Sequence, residues 1–369
     1  MKALIISPRF PWPAYTGDRL RATVWLTALA RNAEVTLVAP SGDVPKNAPP
    51  FRFCAAKRSM RRAAHGVIRV MRDGLPAQCL LAAPYDWADA IARAGAADVT
   101  IVLLSRTHPW VRSSIGGRTV LDAVDSLSRN ADERARASSL ATRWLWRIEQ
   151  RRMARLELDA ARTYDRVVIL SDDERACFGD ADAVSMGIAA TPRSTDARTF
   201  DFGFWGRLPY FANADAVNWL LDEIWPAIRA LHPNATMIIG GADANRSLRN
   251  DARRRGVTLV SPIDDVATFA RHIRVALMPL RYGSGQSNKI LEAAEAGCAI
   301  VGTPQALRGF GQLASLARIE STSNGLARAA VDLLSDETAG EKLRGVVETV
   351  YARSITLDRL STIAEGVTA

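Results

Sequence analysis

Short apolar runs alternate with helical segments along the chain, and this series starts twice. Residues 3–6 are followed by the helical stripe of Leu20, Val24 and Ala28 and then by the apolar run 35–38, and a second series begins at residues 202–205. Apolar runs of this length between helices predict buried strands of parallel sheets. A chain of 369 residues has the length of two domains. The sequence therefore predicts two doubly wound α/β domains.

The polar stretch 191–199 separates the two series and predicts a linker. We expect a first domain over residues 1–190, a second over 191–351, and a final helix at 352–369 that packs back on the first domain. A long helical segment is expected at about 131–163, where residues that break helices are few. Parallel sheets bind ligands at the carboxyl ends of their strands, where loops meet helix N-termini. The ligand site should therefore lie at such loops, in a cleft that the two domains face.

Positive charge is concentrated in the first half of the chain. Residues 1–190 contain 28 Lys and Arg against 20 Asp and Glu, whereas residues 191–369 contain 20 against 19. A basic surface with interleaved aromatic residues suits an anionic membrane, nucleic acid or a phosphorylated acceptor, and a solvated helix face is the alternative. No apolar run approaches the ~20 residues of a spanning helix. The four scattered cysteines predict neither a zinc site nor a disulfide framework, so we expect a cytoplasmic protein.

A glycine-rich turn between a strand and a helix carries the clearest chemical signal. The turn at residues 283–287 precedes a helix that begins near Asn288, with Lys289 in its first turn and Glu292 three residues later. Glycines let backbone N–H groups approach an anion, and a helix start adds partial positive charge. Lys289 can reach the same anion, and Glu292 can accept hydrogen bonds from vicinal hydroxyls. The pattern predicts a phosphate site, and an ordinary turn with a surface ion pair is the alternative.

Several segments, in the same order and spacing, resemble glycosyltransferase family 4. The pattern Gly-x-Gly-x-x-Asn-Lys-x-Leu-Glu-Ala at 283–293 resembles the donor-binding motif of that family. Residues 204–207, Phe-Trp-Gly-Arg, together with 213–217, resemble the Gly-Arg loop and following helix of its exopolysaccharide-type members. Residues 11–21 and 124–128 resemble the N-terminal glycine loop and the Val-Asp-x-x-Ser segment of the same group. The resemblance covers most of the chain, and it is stronger over 202–303 than over 41–95.

The resemblance implies a GT-B fold, in which 1–190 is an acceptor-side Rossmann-like domain and 191–351 binds the nucleotide sugar. It implies an enzyme of polysaccharide biosynthesis, a hexosyl- or glycosyltransferase that retains anomeric configuration. The donor would be a UDP- or GDP-linked sugar, and the acceptor a saccharide or a lipid-linked saccharide. We expect no metal and no further cofactor, no nucleic-acid partner, and peripheral contact with the anionic inner face of the plasma membrane.

Site residues follow from the positions that match the family motifs. Arg207 would neutralise the leaving diphosphate, Glu292 would bind ribose hydroxyls, and Ile263 would border the base. This sequence has Ser284 where many members have Glu, and Asn213 where many have Lys, so Lys289 would supply the missing charge. The catalytic candidates are Arg207, Lys289 and Asp125. The donor-binding candidates are Gly17, Gly206, Ile263, Gly283, Ser284, Gly285, Gln286, Ser287, Asn288 and Glu292.

Two polar positions of the first domain have competing interpretations. Asp125 follows a predicted strand and could orient the acceptor hydroxyl or act as a base, or it could cap the next helix. His108 also follows a strand, and a structural role is favoured for it. The triplet Asp180-Ala181-Asp182 has the pattern of some metal sites, but it lies outside the phosphate motif, and we do not expect a metal there.

Other function classes remain open from the sequence. A sugar-nucleotide epimerase or a non-catalytic nucleotide-sugar-binding protein could use the same fold. A dinucleotide-dependent oxidoreductase would need Gly-x-Gly-x-x-Gly after the first strand, where this chain has the segment 8–11, Pro-Arg-Phe-Pro. A nucleic-acid-binding module could use the basic first half, but no recognised motif of that kind is present.

Overall fold

Two parallel sheets, one in each half of the chain, organise the fold. The structure is a computed structural model, and it describes residues 1–193, 198–283 and 285–366. The chain divides into unit 1, which comprises Met1–Met186 and the chain from Ser354 onward, and unit 2, Gly187–Arg353. Residues 194–197 of the predicted linker and the candidate Ser284 lie outside the described residues.

Unit 1 alternates strands and helices along most of its length. Its elements before unit 2 begins are β1 (Lys2–Ile6), α1 (Gly17–Leu29), β2 (Glu34–Ala39), β3 (Arg52–Ala55), α2 (Met60–Arg72), α3 (Trp87–Ala94), β4 (Val99–Leu103), α4 (His108–Val111), β5 (Arg118–Val124), α5 (Leu127–Ala137), α6 (Leu140–Thr163), β6 (Arg166–Ile169), α7 (Arg175–Phe178) and β7 (Asp182–Ala183).

The described strands of unit 1 form one parallel sheet in the order β3-β2-β1-β4-β5-β6-β7. Every residue of β4 is buried, as expected for a strand that is covered on both faces. A buried ion pair fastens α1 to β5, because Arg21 Nε and Trp25 Nε1 both donate to Asp122 Oδ2 at 2.6 Å. The strand order reverses between β1 and β4, which makes that edge the expected ligand position of this sheet.

Unit 2 repeats the same alternation. Its elements are β8 (Phe200–Trp205), α8 (Phe211–Trp219), α9 (Trp225–Leu231), β9 (Met237–Gly240), α10 (Arg246–Arg254), β10 (Thr258–Val260), α11 (Val266–Arg271), β11 (Ile273–Met278), α12 (Asn288–Glu295), β12 (Ala299–Gly302), α13 (Gly311–Leu316), β13 (Arg318–Ile319), α14 (Ser323–Leu333) and α15 (Ala339–Val350).

The described strands of unit 2 are also all parallel, in the order β10-β9-β8-β11-β12-β13. Phe202 and Phe204 on β8 are fully buried, and Gly203 between them admits Ile273, whose Cδ1 would lie 2.3 Å from any Cβ at that position. The order reverses between β8 and β11. The loops that follow these two strands therefore meet at one edge of the sheet.

The final helix, α16 (Arg353–Glu365), packs on unit 1. Leu357, Leu360 and Ile363 are buried, and Ser361 Oγ donates to Ala28 O on α1 at 3.1 Å. Arg118 Nη1 at the start of β5 donates to Ala364 O at 2.8 Å. Apolar burial and hydrogen bonds thus join α16 to elements from the opposite end of the sequence.

The long helical segment expected at about 131–163 is helical but interrupted once. The structure has two helices there, α5 and α6, which are separated at Ser138 and Ser139. Leu127 of α5 packs with Met153 and Leu156 of α6, so the two helices share one apolar cluster. No helix within the described residues combines the length and the apolar composition needed to span a bilayer.

Candidate functional site

The loops after β8 and β11 bring the main sequence candidates of unit 2 together. Gly206 follows β8 with φ of 149°. A Cβ at Gly206 would lie 2.5 Å from Lys289 Cε and 3.1 Å from Lys289 Nζ, so the lysine lies directly against this glycine. Gly206 and Lys289 are 83 positions apart in sequence. They come together because β8 and β11 are neighbours in the sheet.

The ammonium group of Lys289 is enclosed but has no carboxylate partner. Its Nζ lies 5.9 Å from the centroid of the Phe204 ring. Among the described residues, no carboxylate oxygen lies within 4.0 Å of it. Burial lowers the pKa of Lys289, and the charge of Glu292 opposes that shift. A cation in such a position is suited to an anionic ligand rather than to a structural ion pair.

Glu292, one turn after Lys289 on α12, is held by a tryptophan. Trp205 Nε1 donates to Glu292 Oε2 at 2.7 Å, and Trp205 itself is buried, with its ring at 68° to that of Phe269. Burial raises the pKa of the Glu292 carboxyl group, while the Trp205 hydrogen bond and Lys289 lower it. The other carboxylate oxygen forms no hydrogen bond with the described residues. One oxygen is therefore fixed, and the other is open to a hydroxyl ligand.

The glycine turn presents its main chain at the start of α12. Gly283 and Gly285 have φ of 137° and 69°, which favour glycine, and a Cβ at Gly283 would meet no atom within 4 Å. The first helical bond is Ile290 N to Ser287 O at 3.0 Å, and Ser287 makes no side-chain cap. Within the described chain, the N–H groups of Ser287, Asn288 and Lys289 have no acceptor. These donors form the kind of anion site that a helix N-terminus provides.

The turn is held in place from the segment that follows β12. Gly283 O accepts from Gln305 Nε2 and, at 2.9 Å, from Arg308 Nη2. The buried side chain of Gln286 donates to Gly309 O at 2.7 Å. The Gln286 side chain is therefore committed to the protein, and only the main chain of this residue is suited to contact a ligand.

Arg207 has a fixed backbone and an exposed guanidinium group. Its carbonyl accepts from the buried Asn213 Nδ2 at 2.8 Å, so the amide at the position where many family members have Lys holds the loop. The Arg207 side chain is 65% exposed, and its Nε lies 3.4 Å from Asp243 Oδ2. A Cβ at Gly241 would lie 1.7 Å from Gly206 O, which fixes the two loops against each other.

Ile263 lies at the end of β9, half-buried. Its Cδ1 would be 2.6 Å from a Cβ at Gly240, so the side chain packs on the end of this strand. This position, at the same edge of the sheet as Gly206, is compatible with the base-bordering role that the resemblance implies.

In unit 1, Asp125 follows β5 and is half-buried. The residue before it, Val124, has φ of 64°, and Ser126 Oγ accepts from Arg129 N at 3.2 Å. Ser126, not Asp125, therefore caps α5, which leaves the Asp125 side chain without that structural role. Gly17 is the first residue of α1, and a Cβ there would meet nothing within 4 Å.

Sequence reasoning missed Arg106, a buried cation that follows β4. Burial and Arg9 lower its pKa, while Asp18 and Asp125 raise it. Arg106 Nη2 lies 3.7 Å from Asp18 Oδ2, and its Nε has no hydrogen-bond partner within the described chain. One signal in the sequence could have identified Arg106 as a candidate. It follows a strand at the point where the order of strands in the sheet reverses.

His108 and the Asp180–Asp182 triplet have structural partners. His108 is buried, with Nε2 3.2 Å from Asp159 Oδ2 and Nδ1 3.4 Å from the Tyr164 hydroxyl. Asp182 accepts two hydrogen bonds from Arg166, at 2.9 and 2.8 Å. No group of three or more metal-binding side chains occurs in residues 1–193, 198–283 and 285–366.

Comparison with known proteins finds one sequence-family match, which lies within unit 2. Residues 199–336 match the family model described as glycosyl transferases group 1. The match includes the Gly206 loop and the whole turn before α12. No curated protein matches the chain in sequence.

Several solved structures match the chain from end to end. Sucrose-phosphate synthase from Thermosynechococcus elongatus is 14% identical with a TM-score of 0.75, over 100% of this chain and 99% of that chain. HepE from Anabaena, solved in complex with UDP, is 14% identical with a TM-score of 0.67 over the same shares. WaaG, a glycosyltransferase of lipopolysaccharide biosynthesis, is 16% identical with a TM-score of 0.67, over 99% of this chain and 100% of that chain. The chain therefore has the GT-B fold that its sequence predicts, with one parallel-sheet α/β domain in each unit.

Proposed function

We propose that the protein is a glycosyltransferase that moves a sugar from a nucleotide-diphosphate donor to an acceptor hydroxyl. The observation that carries the proposal is the group formed by the unpaired Lys289 ammonium, the free N–H groups at the start of α12 and the open oxygen of Glu292. Cation and amides suit a diphosphate, and the carboxylate suits ribose hydroxyls. The match of residues 199–336 to the group 1 family supports this assignment.

The main chemical task is to stabilise negative charge on the leaving diphosphate. We assign that task to Lys289, to the amides of residues 285–289, and to Arg207, whose exposed side chain would exchange Asp243 for the ligand. Preorganised donors of this kind supply much of the rate enhancement in group transfer. We propose a metal-independent, retaining reaction, in which the leaving phosphate takes the proton of the attacking hydroxyl. No enzyme nucleophile is needed for that route.

The donor and the acceptor are proposed on separate grounds. A UDP-linked sugar is favoured because a protein of the same fold, HepE, was solved with UDP. In unit 1, Asp125 and its neighbour Arg106 are proposed to orient the acceptor hydroxyl. The basic first half favours an anionic, lipid-linked saccharide acceptor at the inner face of the plasma membrane. We therefore propose that the chain is a family 4 enzyme of exopolysaccharide biosynthesis.

Thermal unfolding with nucleotides tests the donor site directly. UDP at about 100 times its dissociation constant should add about 2.7 kcal/mol to the free energy of unfolding. Lys289→Ala should bind UDP at least roughly tenfold more weakly, because it removes a charge-assisted contact. Lys342→Ala, an exposed lysine on α15, is the matched control and should bind as wild type does.

Three outcomes would contradict the proposal. UDP and GDP could both fail to stabilise the wild-type protein. Lys289→Ala could retain full affinity. Finally, incubation of donor without acceptor could interconvert the sugar, which would indicate an epimerase. Loss of transfer on addition of EDTA would reverse the metal-independent assignment alone.

A further inference from the structure

Two helices of unit 1 expose an unusual amount of apolar surface. Six large apolar side chains are more than half exposed: Met60, Ile68 and Met71 of α2, and Leu140, Trp144 and Leu145 of α6. We call these six residues, together with the exposed arginines of the same two helices, the α2–α6 face. Met71 is 76% exposed and Leu140 is 82% exposed. Single exposed apolar residues are common, but a concentration of this kind marks an interaction surface.

The two helices are joined beneath this surface. Val70 of α2 belongs to the same apolar cluster as Met153 and Leu156 of α6. Glu149 of α6 accepts hydrogen bonds from Ala77 N and Gln78 N, at 2.8 and 3.0 Å, just beyond the end of α2. Both anchors join α2 and its following turn to the middle of α6, so the two helices belong to the same packed part of unit 1.

Each of the two helices has one buried side and one exposed side. In α2, Gly66 and Val70 are buried while Val67, Ile68 and Met71 are exposed, so the apolar arc extends well past the edge that packs on the protein. In α6, Leu140 and Trp144 are spaced by four residues, which places them on one side of the helix. The apolar part of both helices is thus open to an outside partner.

Positive charge accompanies the apolar residues. Arg147, Arg151 and Arg155 occupy the exposed side of α6, and Arg61 is exposed on α2. Within the part of the chain that the structure describes, none of these four arginines forms an ion pair. Their charge is therefore available to an anionic partner, in contrast to Arg62, which pairs with Asp89 at 2.8 Å.

We infer that the α2–α6 face docks on an anionic lipid bilayer. Amphipathic helices lie in the plane of a bilayer with their apolar residues about 5–10 Å deep and their basic residues among the headgroups. Each arginine near an anionic surface strengthens such binding, and tryptophan is enriched at the interface. Nucleic acid would use the arginines but would leave Met71 and Leu140 in water. The inference rests on the proposed function, since docking brings unit 1 to a lipid-linked acceptor.

Flotation of the full chain with vesicles tests the inference. Vesicles with about 30 mol % phosphatidylglycerol should carry the protein at ~50 mM salt and release most of it at ~500 mM, and neutral phosphatidylcholine vesicles should carry little. The double variant Met71→Glu with Trp144→Glu should bind at least roughly tenfold more weakly. Replacing both Arg147 and Arg151 by Gln should lower binding roughly fivefold for each arginine.

A matched control separates this face from general surface effects. Leu231→Glu changes a residue of unit 2 that is 51% exposed, and it should float as wild type does. All variants should be stabilised by UDP to the same extent as wild type. This measurement confirms that they are folded, and it tests the donor site independently of vesicle binding. If UDP binding is absent but flotation follows the pattern above, the transferase proposal fails and the docking surface stands.

Two results would overturn the inference. One is vesicle binding that survives the Met71 and Trp144 substitutions. The other is a wild-type protein that ignores the anionic vesicles at ~50 mM salt. Binding of duplex DNA at low salt without vesicle binding would assign the face to nucleic acid instead.

Discussion

Position 206 requires glycine because side chains from other parts of unit 2 occupy the space that a Cβ would take. Its φ of 149° is a conformation that residues with a side chain rarely adopt. A Cβ there would collide with Lys289 Cε at 2.5 Å and with Asn213 Nδ2 at 2.9 Å. The glycine therefore makes room for the lysine that we assign to the diphosphate.

Gly206→Ala should damage both stability and donor binding. Backbone strain of this kind costs about 1–3 kcal/mol, and displacement of Lys289 should weaken UDP binding roughly tenfold. Urea unfolding and calorimetric titration with UDP measure the two effects. Gly345→Ala on α15, where a Cβ meets nothing within 4 Å, should leave UDP binding unchanged and raise stability by about 0.5–1 kcal/mol, because alanine is favoured over glycine within a helix. Wild-type UDP affinity in Gly206→Ala would show that Lys289 is not placed as described.

At the scale of elements, a buried carboxyl group joins α6 to the start of α5. Glu157 on α6 is fully buried, its Oε1 accepts from Ser128 N and its Oε2 from Ser126 Oγ, each at 3.1 Å. Burial raises the pKa of Glu157 from 4.5 to about 7, although these hydrogen bonds lower it. The protonated form is therefore favoured in the folded protein more than in the unfolded chain.

The stability of unit 1 should fall as the pH rises through this range. The contribution of Glu157 is fully present below pH 4.5, the unfolded value, and is lost as the pH approaches about 7, the folded value. At about 1.4 kcal/mol for each pH unit, the loss is on the order of 3 kcal/mol. Chemical unfolding of wild type and Glu157→Gln at several pH values isolates this term. Parallel pH curves for the two proteins would contradict it.

The sequence predicted those features that depend only on residues a few positions apart. The strand and Gly-Arg pair at 204–207 and the glycine turn before α12 were predicted, because glycine position and apolar runs determine them directly. The hydrogen bond between Trp205 and Glu292 was not, because it joins residues 87 positions apart and depends on which strands become neighbours. The break between α5 and α6 was missed since two serines interrupt the helix without a proline or glycine.

At the scale of the whole chain, α16 completes a unit that began at residue 1. Leu360 is fully buried in unit 1, and Ser361 and Ala364, which follow it on the same helix, form hydrogen bonds with α1 and β5. Unit 1 therefore depends on a segment that is synthesised only after unit 2.

Leu360→Ala should destabilise unit 1 while sparing donor binding in unit 2. Loss of a buried leucine side chain costs about 2–5 kcal/mol. Urea unfolding should show the lower free energy of unfolding. Titration with UDP, at urea concentrations below the unfolding transition, should still show wild-type binding. Arg359→Ala, an exposed neighbour on the same helix, should unfold as wild type does. If Leu360→Ala keeps wild-type stability, α16 is not the structural part of unit 1 described above.

The chain enters and leaves unit 2 side by side. Ile188 N donates to Tyr351 O at 2.9 Å, and Arg353 N donates to Ile188 O at 2.8 Å. Unit 2 is thus an insertion whose two ends are already neighbours, so a gene segment for residues 187–353 can be excised as a cassette. If the proposed function is right, grafting that cassette between the halves of a related unit 1 should transfer the donor preference of this chain and leave the acceptor preference of the host.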